Sequence, residues 1–216
     1  MKLLKQYKYF IPFALIIVVV DIILIYFHII NYLFPSKYEV LYDLHSNDSF
    51  AEKYQYIKWT LIIISLMVIQ FRSRNVKYWV WIIIFFYFLL EDIFRVHEII
   101  GSFLIEYFGL GKYYWGIPLG EILAIVSIGF VVSMLILSVY KYYDYPFRRF
   151  SRQMIWLICI FLFFAFLIDH LESLPKIKNH LKWKFIAETI EDGGELIAES
   201  LITINLCYKA LKKRIV

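Results

Sequence analysis

Long apolar stretches alternate with short polar ones along the chain, and the stretches are too long and too uniformly apolar to be the half-buried helices of a soluble domain. A helix needs about 20 largely apolar residues to cross the roughly 30 Å hydrocarbon core of a bilayer. Six stretches meet or approach that length, at about 10–33, 57–72, 78–100, 116–139, 153–174 and 185–208. The pattern predicts an all-α, polytopic integral membrane protein. It would be a six-transmembrane-helix bundle forming one domain over 1–216, because no connection is long enough to fold separately. The opening "MKLLKQYKYF" has the charged start of a signal peptide, but the apolar run behind it is too long and no small-x-small cleavage site follows, so it is expected to be a retained first helix.

Composition agrees. The chain is 62% hydrophobic and 20% aromatic with a mean hydropathy of +0.67, against about 45–50% apolar in soluble domains. Its two cysteines, Cys159 and Cys207, both fall inside predicted spans, which argues against a disulfide framework or a cysteine zinc site.

Basic residues set the expected orientation, since Lys- and Arg-rich loops stay cytoplasmic. The N-terminus, second and fourth connections and tail hold 14 Lys and Arg, and the opposite loops hold eight, Lys58 among them. Both termini are therefore expected in the cytoplasm and the protein in the plasma membrane, in a bacterium the cytoplasmic membrane. The basic clusters are short and juxtamembrane, as topology determinants and lipid headgroup contacts are, and no nucleic-acid partner is expected. "LHSNDSF" carries an Asn-x-Ser sequon at Asn47, and His45 and His180 are expected to be solvated loop histidines.

Charge inside the spans changes the picture. The third apolar run ends in "EDIFRVHE", Glu91 to Glu98. At about 1.5 Å per residue, Glu91 and Asp92 fall roughly 10 Å below the outer surface, with Arg95, His97 and Glu98 above them. Asp169, His170 and Glu172 on the fifth span, Glu121 on the fourth and Glu188, Glu191 and Asp192 on the sixth reach the same outer half. Asp21 lies near mid-membrane with His28 a turn or two above it. Taking about 100° per residue, Glu188, Asp192, Glu195 and Glu199 form a carboxylate stripe on one face of the last helix, with Glu191 beside it. Glu91, Arg95 and Glu98 share a face of the third. Twelve of 18 acids lie in predicted spans, against one base expected to be buried, Arg95, with Lys58 and Arg72 at the ends of the second span counted with the connections. An ionised group at the bilayer centre costs at least about 2.5–3.5 kcal/mol, so these groups face the bundle interior and are neutralised by pairing, protonation, water or a bound cation.

Two chemistries fit. Glu91, Asp92, His97, Asp169, His170, Glu188, Asp192 and Glu195 have the ligand types of a divalent metal, Zn, Fe or Mn with imidazole and Ca or Mg with oxygen alone. Asp21, His28, Arg95, Glu98, Glu121, Glu191 and Glu199 would support it. Such a metal could activate water to hydrolyse a lipid or another membrane substrate. The arrangement resembles in outline the membrane metal hydrolases that include alkaline ceramidases and adiponectin receptors. Those have seven helices and a late H-x-x-x-H pair, which this chain lacks, so their catalytic residues do not transfer. The other chemistry is a proton or cation path down Glu188, Glu195 and Glu199 in a transporter, channel or sensor subunit, with Gly193 and Gly194 permitting a kink or a close helix approach. A polar core that serves assembly with a partner protein or further copies is a third reading. "LLEDIFRVHEIIG" followed by "AETIEDGGELIAES" also resembles a set of uncharacterised bacterial six-helix membrane proteins with an acidic pair, four residues, then His-Glu on the third helix and a Glu-rich last helix. The resemblance implies a shared polar site at Glu91, Asp92, His97, Glu98, Glu188, Glu191, Asp192 and Glu195.

Overall fold

The computed structural model describes residues 2–34, 39–46, 48–73, 76–110, 113–114, 117–140, 144–168, 177 and 179–212. Nearly all are helical: α1 (Lys2–Leu33), α2 (Glu39–Tyr42), α3 (Phe50–Ser73), α4 (Trp79–Phe94), α5 (Val96–Phe108), α6 (Leu119–Tyr140), α7 (Tyr145–Leu162), which runs on into a π-helical turn (Phe163–Ile168), and α8 (Leu181–Leu211). A two-residue antiparallel pairing, Tyr113–Tyr114 with Ile117–Pro118, precedes α6.

Four of the described helical segments are long and apolar enough to cross a membrane: Phe10–Leu33, Phe50–Ser73, Leu119–Ser138 and Tyr145–Phe166. The chain is thus a helical membrane protein by length and composition. The remaining two of the six expected spans do not meet that standard, for different reasons. α4, at 16 residues, is about 24 Å long. α8 is long enough at 31 residues but carries Glu188, Glu191, Asp192, Glu195 and Glu199.

α8, the most acidic of the long helices, sits at the centre with α1, α3 and α7 packed around it. It runs parallel to α3, with Lys58 against Ser200 and Ser65 against Cys207, and antiparallel to α1, with His28 against Thr189 and Phe10 against Tyr208. The first and last helices therefore bring Phe10 and Tyr208 to the same end of the bundle. An apolar core fills the space between α3, α4, α7 and α8, built on Trp59, Ile62, Leu66, Trp81, Phe85, Met154, Phe161, Ile202 and Leu206. The Trp81 indole N–H donates to Ser151 Oγ at 3.0 Å, so the core's buried donor is satisfied. The outward faces of α1 and α6 are apolar, with Leu15, Ile16, Ile22, Val126, Phe130 and Leu137 exposed, while Asp21, Lys58 and Glu199 are buried. Polar inside and apolar outside is the arrangement lipid requires.

Helix boundaries correct the sequence in three places. The second span begins at Phe50, not near 57, because Ser49 caps it: Ser49 Oγ accepts from Glu52 N at 3.1 Å, and the Glu52 carboxylate reaches back to accept from Asp48 N at 2.5 Å. The fifth begins at Tyr145, not near 153, because Asp144 caps it, accepting from Phe147 N at 3.3 Å, and Pro146 occupies the first turn. The third span, expected as one helix over 78–100, breaks at Arg95, which adopts left-handed φ 48° and ψ 55° between α4 and α5. Glu91, Arg95 and Glu98 consequently do not share one helical face.

α8 continues as one helix through Gly193 and Gly194. A methyl group on Gly193 would rest 3.5 Å from the Ile25 side chain of α1, an ordinary contact, whereas one on Gly194 would run into the Phe164 ring on the π-helical turn. The glycine pair thus serves close approach, chiefly to α7. Gly194→Ala is expected to destabilise the protein in detergent by about 1–3 kcal/mol through overpacking. Gly193→Ala, which gains helix propensity without a clash, should be neutral or stabilising. Thermal unfolding of both, with Gly194→Ala/Phe164→Ala recovering stability, checks the assignment.

Candidate functional site

α3 is predominantly apolar, yet Lys58 in its third turn is fully buried, and its surroundings explain how. Its ammonium lies 3.0 Å from Glu199 Oε2 on α8 and 3.6 Å from Asp21 Oδ1 on α1. It donates to the Leu196 carbonyl at 2.7 Å and to Ser200 Oγ at 3.4 Å, and it lies 4.8 Å from the centre of the Tyr54 ring. Glu199 and Asp21 are also buried, so three ionisable groups from three helices meet in the bundle interior. Tyr54 anchors its own end by donating from Oη to the Ile17 carbonyl at 3.1 Å.

One residue along, the Trp59 indole N–H donates to Asp92 Oδ2 at 2.5 Å, and Tyr56 Oη donates to the Asp92 carbonyl at 3.3 Å, which ties the end of α4 to the same level of α3. The charges sum simply: Lys58 contributes one positive charge and Glu199 and Asp21 two negative ones. A buried ion pair is tolerable only when its charges are compensated.

Above this cluster, toward the end that carries residues 43–46, the acidic face of α8 continues through half-buried Glu195 and Asp192. His45 meets Asp192 at 3.7 Å, and Lys184 pairs with Glu188 one turn away at 3.0 Å. The Asp192 carboxylate is the chief reason that the His45 pKa is pushed up to about 9, with Glu188 and Glu191 adding to it against partial desolvation. His28 is buried on α1, its Nε2 3.2 Å from Thr189 Oγ1 and its Nδ1 3.2 Å from Asp43 Oδ1. For Asp43, burial pushes the carboxyl up, but the contacts with His28 and with the His45 N–H, 3.2 Å away, prevail and hold it below its ordinary value.

"EDIFRVHE" has a local role as well. The Glu91 carboxylate accepts from Tyr87 Oη at 2.7 Å, from the His97 backbone N–H at 3.3 Å and pairs with the His97 ring, while the Glu91 carbonyl accepts from Arg95 N at 2.7 Å. Glu91 therefore braces the α4–α5 break. Arg95, expected to be the base buried in the spans, is exposed and meets Glu98 at 3.4 Å, because its left-handed backbone turns it away from the helix interior. Among the described residues, the base buried within the membrane-length segments is Lys58, which charge counting had placed in an outer loop.

Glu121 lies against Gly101 where α5 and α6 cross closely, Glu191 is buried on α8, and Asp169, His170 and Glu172 lie outside the described residues. Among the described residues, no three of His, Cys, Asp and Glu are grouped so as to hold a metal ion. One signal could have found Lys58: it continues the face of Ile62, Ser65 and Ile69 at spacings of four, three and four, which is the buried face of α3.

This combination defines a helical membrane protein with an acidic, lysine-centred interior. The chain belongs to a family described as a domain of unknown function, DUF8692, which matches residues 56–208 and so takes in Lys58, Asp92 and the α8 acids. No curated protein and no solved structure matches it.

Replacing Lys58 by Met leaves two buried carboxylates facing one another, and the expected loss of stability is about 3–5 kcal/mol. Adding Glu199→Gln and Asp21→Asn removes the stranded charges and should return most of that loss. Denaturant unfolding in detergent of the single and triple variants measures both.

Proposed function

We propose that the protein spans the membrane six times, with both termini cytoplasmic, and that its Lys58–Asp21–Glu199 cluster exchanges a proton or small cation with the outer face. It would act in ion transport or in sensing that ion. One observation carries the reading: a single buried amine, Lys58, stands between two buried carboxyl groups, Glu199 at 3.0 Å and Asp21 at 3.6 Å, which would leave a net charge of minus one if both were ionised. A net charge in a low-dielectric interior is neutralised by whatever can reach it, and the smallest candidates are a proton on one carboxylate or a cation beside them.

The neighbouring geometry supports a route. Glu195 and Asp192 lie roughly one and two turns from Glu199 along α8, so titratable oxygens recur at intervals of about 5–6 Å toward His45. His45 is partly exposed and pairs with Asp192, which suits an entry group that takes protons from water and passes them inward. Lys58 holds Glu199 and Asp21 at one point and lets a single proton leave or arrive while the pair stays compensated.

The metal-dependent hydrolase expected from the histidines has less support. His97 is engaged by Glu91, His28 by Thr189 and Asp43, and a ligand set would need Asp169 or His170, outside the described residues.

The test is proton flux in liposomes holding a pH-sensitive dye. Wild-type protein is expected to dissipate an imposed proton gradient, or to couple it to a monovalent cation gradient, and Glu199→Gln to fall to the rate of empty liposomes while remaining folded. Wild-type flux no faster than empty liposomes, or an unimpaired Glu199→Gln, would contradict the reading.

A further inference from the structure

At the opposite end of the bundle from His45, a cavity of about 370 Å³ opens between the end of α8, the start of α7 and the end of α3. Its walls carry Arg149, Lys209 and Lys212, and among the described residues no carboxylate lines it. The acid nearest in sequence, Asp144, is engaged by Lys77, which donates to both of its oxygens at 2.9 Å. Three cations therefore share one cavity wall with no anion among the described lining residues. The rest of the lining is apolar or aromatic, with Ile69, Tyr78, Phe150 and Tyr208 among it.

Lys209 is held in place. It donates to Gln153 Oε1 at 2.5 Å and sits 4.5 Å from the centre of the Phe150 ring. With its oxygen so engaged, the Gln153 amide keeps its NH₂ as a donor. Desolvation, with the nearby Arg149 charge, lowers the Lys209 pKa to about 8, a cost that an anion in the cavity would reverse.

We propose that this cavity binds the phosphate of an anionic phospholipid headgroup. Arg149, Lys209 and Lys212 would balance its charge, and the aromatic wall would take the glycerol backbone. A phosphate needs cationic donors on more than one side, and Arg and Lys differ usefully here: Arg offers a planar fork and Lys a mobile point charge. Lipid is favoured over a soluble phosphate because the cavity lies where membrane-length segments end: Phe50–Ser73 finishes and Tyr145–Phe166 begins beside it. Basic pockets between helices at the membrane surface hold lipid headgroups in this way. The site is separate from the Lys58 cluster and does not depend on what that cluster does.

The test is native mass spectrometry of protein released from nanodiscs of mixed phosphatidylglycerol and phosphatidylcholine. Wild type should retain phosphatidylglycerol in preference to phosphatidylcholine. Arg149→Gln and Lys209→Gln should each lower that retention about fivefold, the effect of about one surface cation on an anionic lipid. Arg148→Gln, an exposed neighbour outside the cavity, should leave it unchanged. Equal retention of the two lipids by wild type, or an equal loss in Arg148→Gln, would overturn the proposal. So would displacement of the lipid by millimolar glycerol phosphate, which would assign the cavity to a soluble phosphate ester.

Discussion

The polar contacts that join α1, α3 and α8 at mid-bundle are organised around one buried ammonium. Lys58 draws Asp21 of α1 and Glu199 of α8 to within 3.6 and 3.0 Å, and its hydrogen bond to the Leu196 carbonyl at 2.7 Å fixes the register of α3 against α8. Seven residues further along α3, Ser65 meets Cys207 at 3.2 Å, and Arg72 reaches the Ala210 carbonyl, so one parallel alignment runs the length of both helices. In lipid the apolar faces do not choose partners strongly, because lipid tails are as apolar as the side chains. Specific pairing then falls to small residues and polar contacts. Gly194 against Phe164 supplies the first and Lys58 the second, which is why the most acidic long helix is also the central one.

The same economy divides the molecule into two chemical ends. Toward residues 43–46 the interior is acidic, and its exposed histidine, His45, is held protonatable by Asp192. Toward the end where Phe10 meets Tyr208, an apolar aromatic core takes over and finishes in a cationic cavity. A proton or cation drawn in from one end would reach Glu199 and meet Trp59, Ile62 and Leu66 beyond it, a dry barrier through which an ion does not pass unaided. Coupling across that barrier would need movement of α8 against its neighbours. The space beside Gly193, wide enough for a methyl group in ordinary contact with Ile25, offers room for it on the α1 side.

Much of this was legible in the sequence and some was not, for identifiable reasons. The membrane class followed from apolar length alone, and the acidic face of α8 followed from helical periodicity, because a continuous helix preserves both. The break at Arg95 had no signal: left-handed backbone is expected of glycine, and an arginine takes it here because Glu91 accepts from both sides of the turn. Lys58 was missed because polar residues just before an apolar run look like a loop, and counting basic residues by loop assigns such a lysine to solvent. The early starts of α3 and α7 were encoded, in "SFAE" and "DYP", but as local capping signals that hydropathy does not weigh. Of the acids expected in one layer, those of α1 and α8 meet Lys58 of α3 with Asp92 adjoining and Glu121 lies at the contact of α5 and α6, while the fifth span's Asp169 and Glu172 lie outside the described residues.

The central claim is that the buried cluster carries one more carboxylate than it can ionise, and that a proton makes up the difference. Infrared difference spectroscopy of wild type and Glu199→Gln, recorded through a pH titration in lipid, reads this directly. The account predicts a protonated carboxyl band at neutral pH that vanishes on alkalinisation and is absent or displaced in Glu199→Gln. A spectrum in which every carboxylate of the cluster is ionised across the neutral range, with no dependence on added cation, would contradict it.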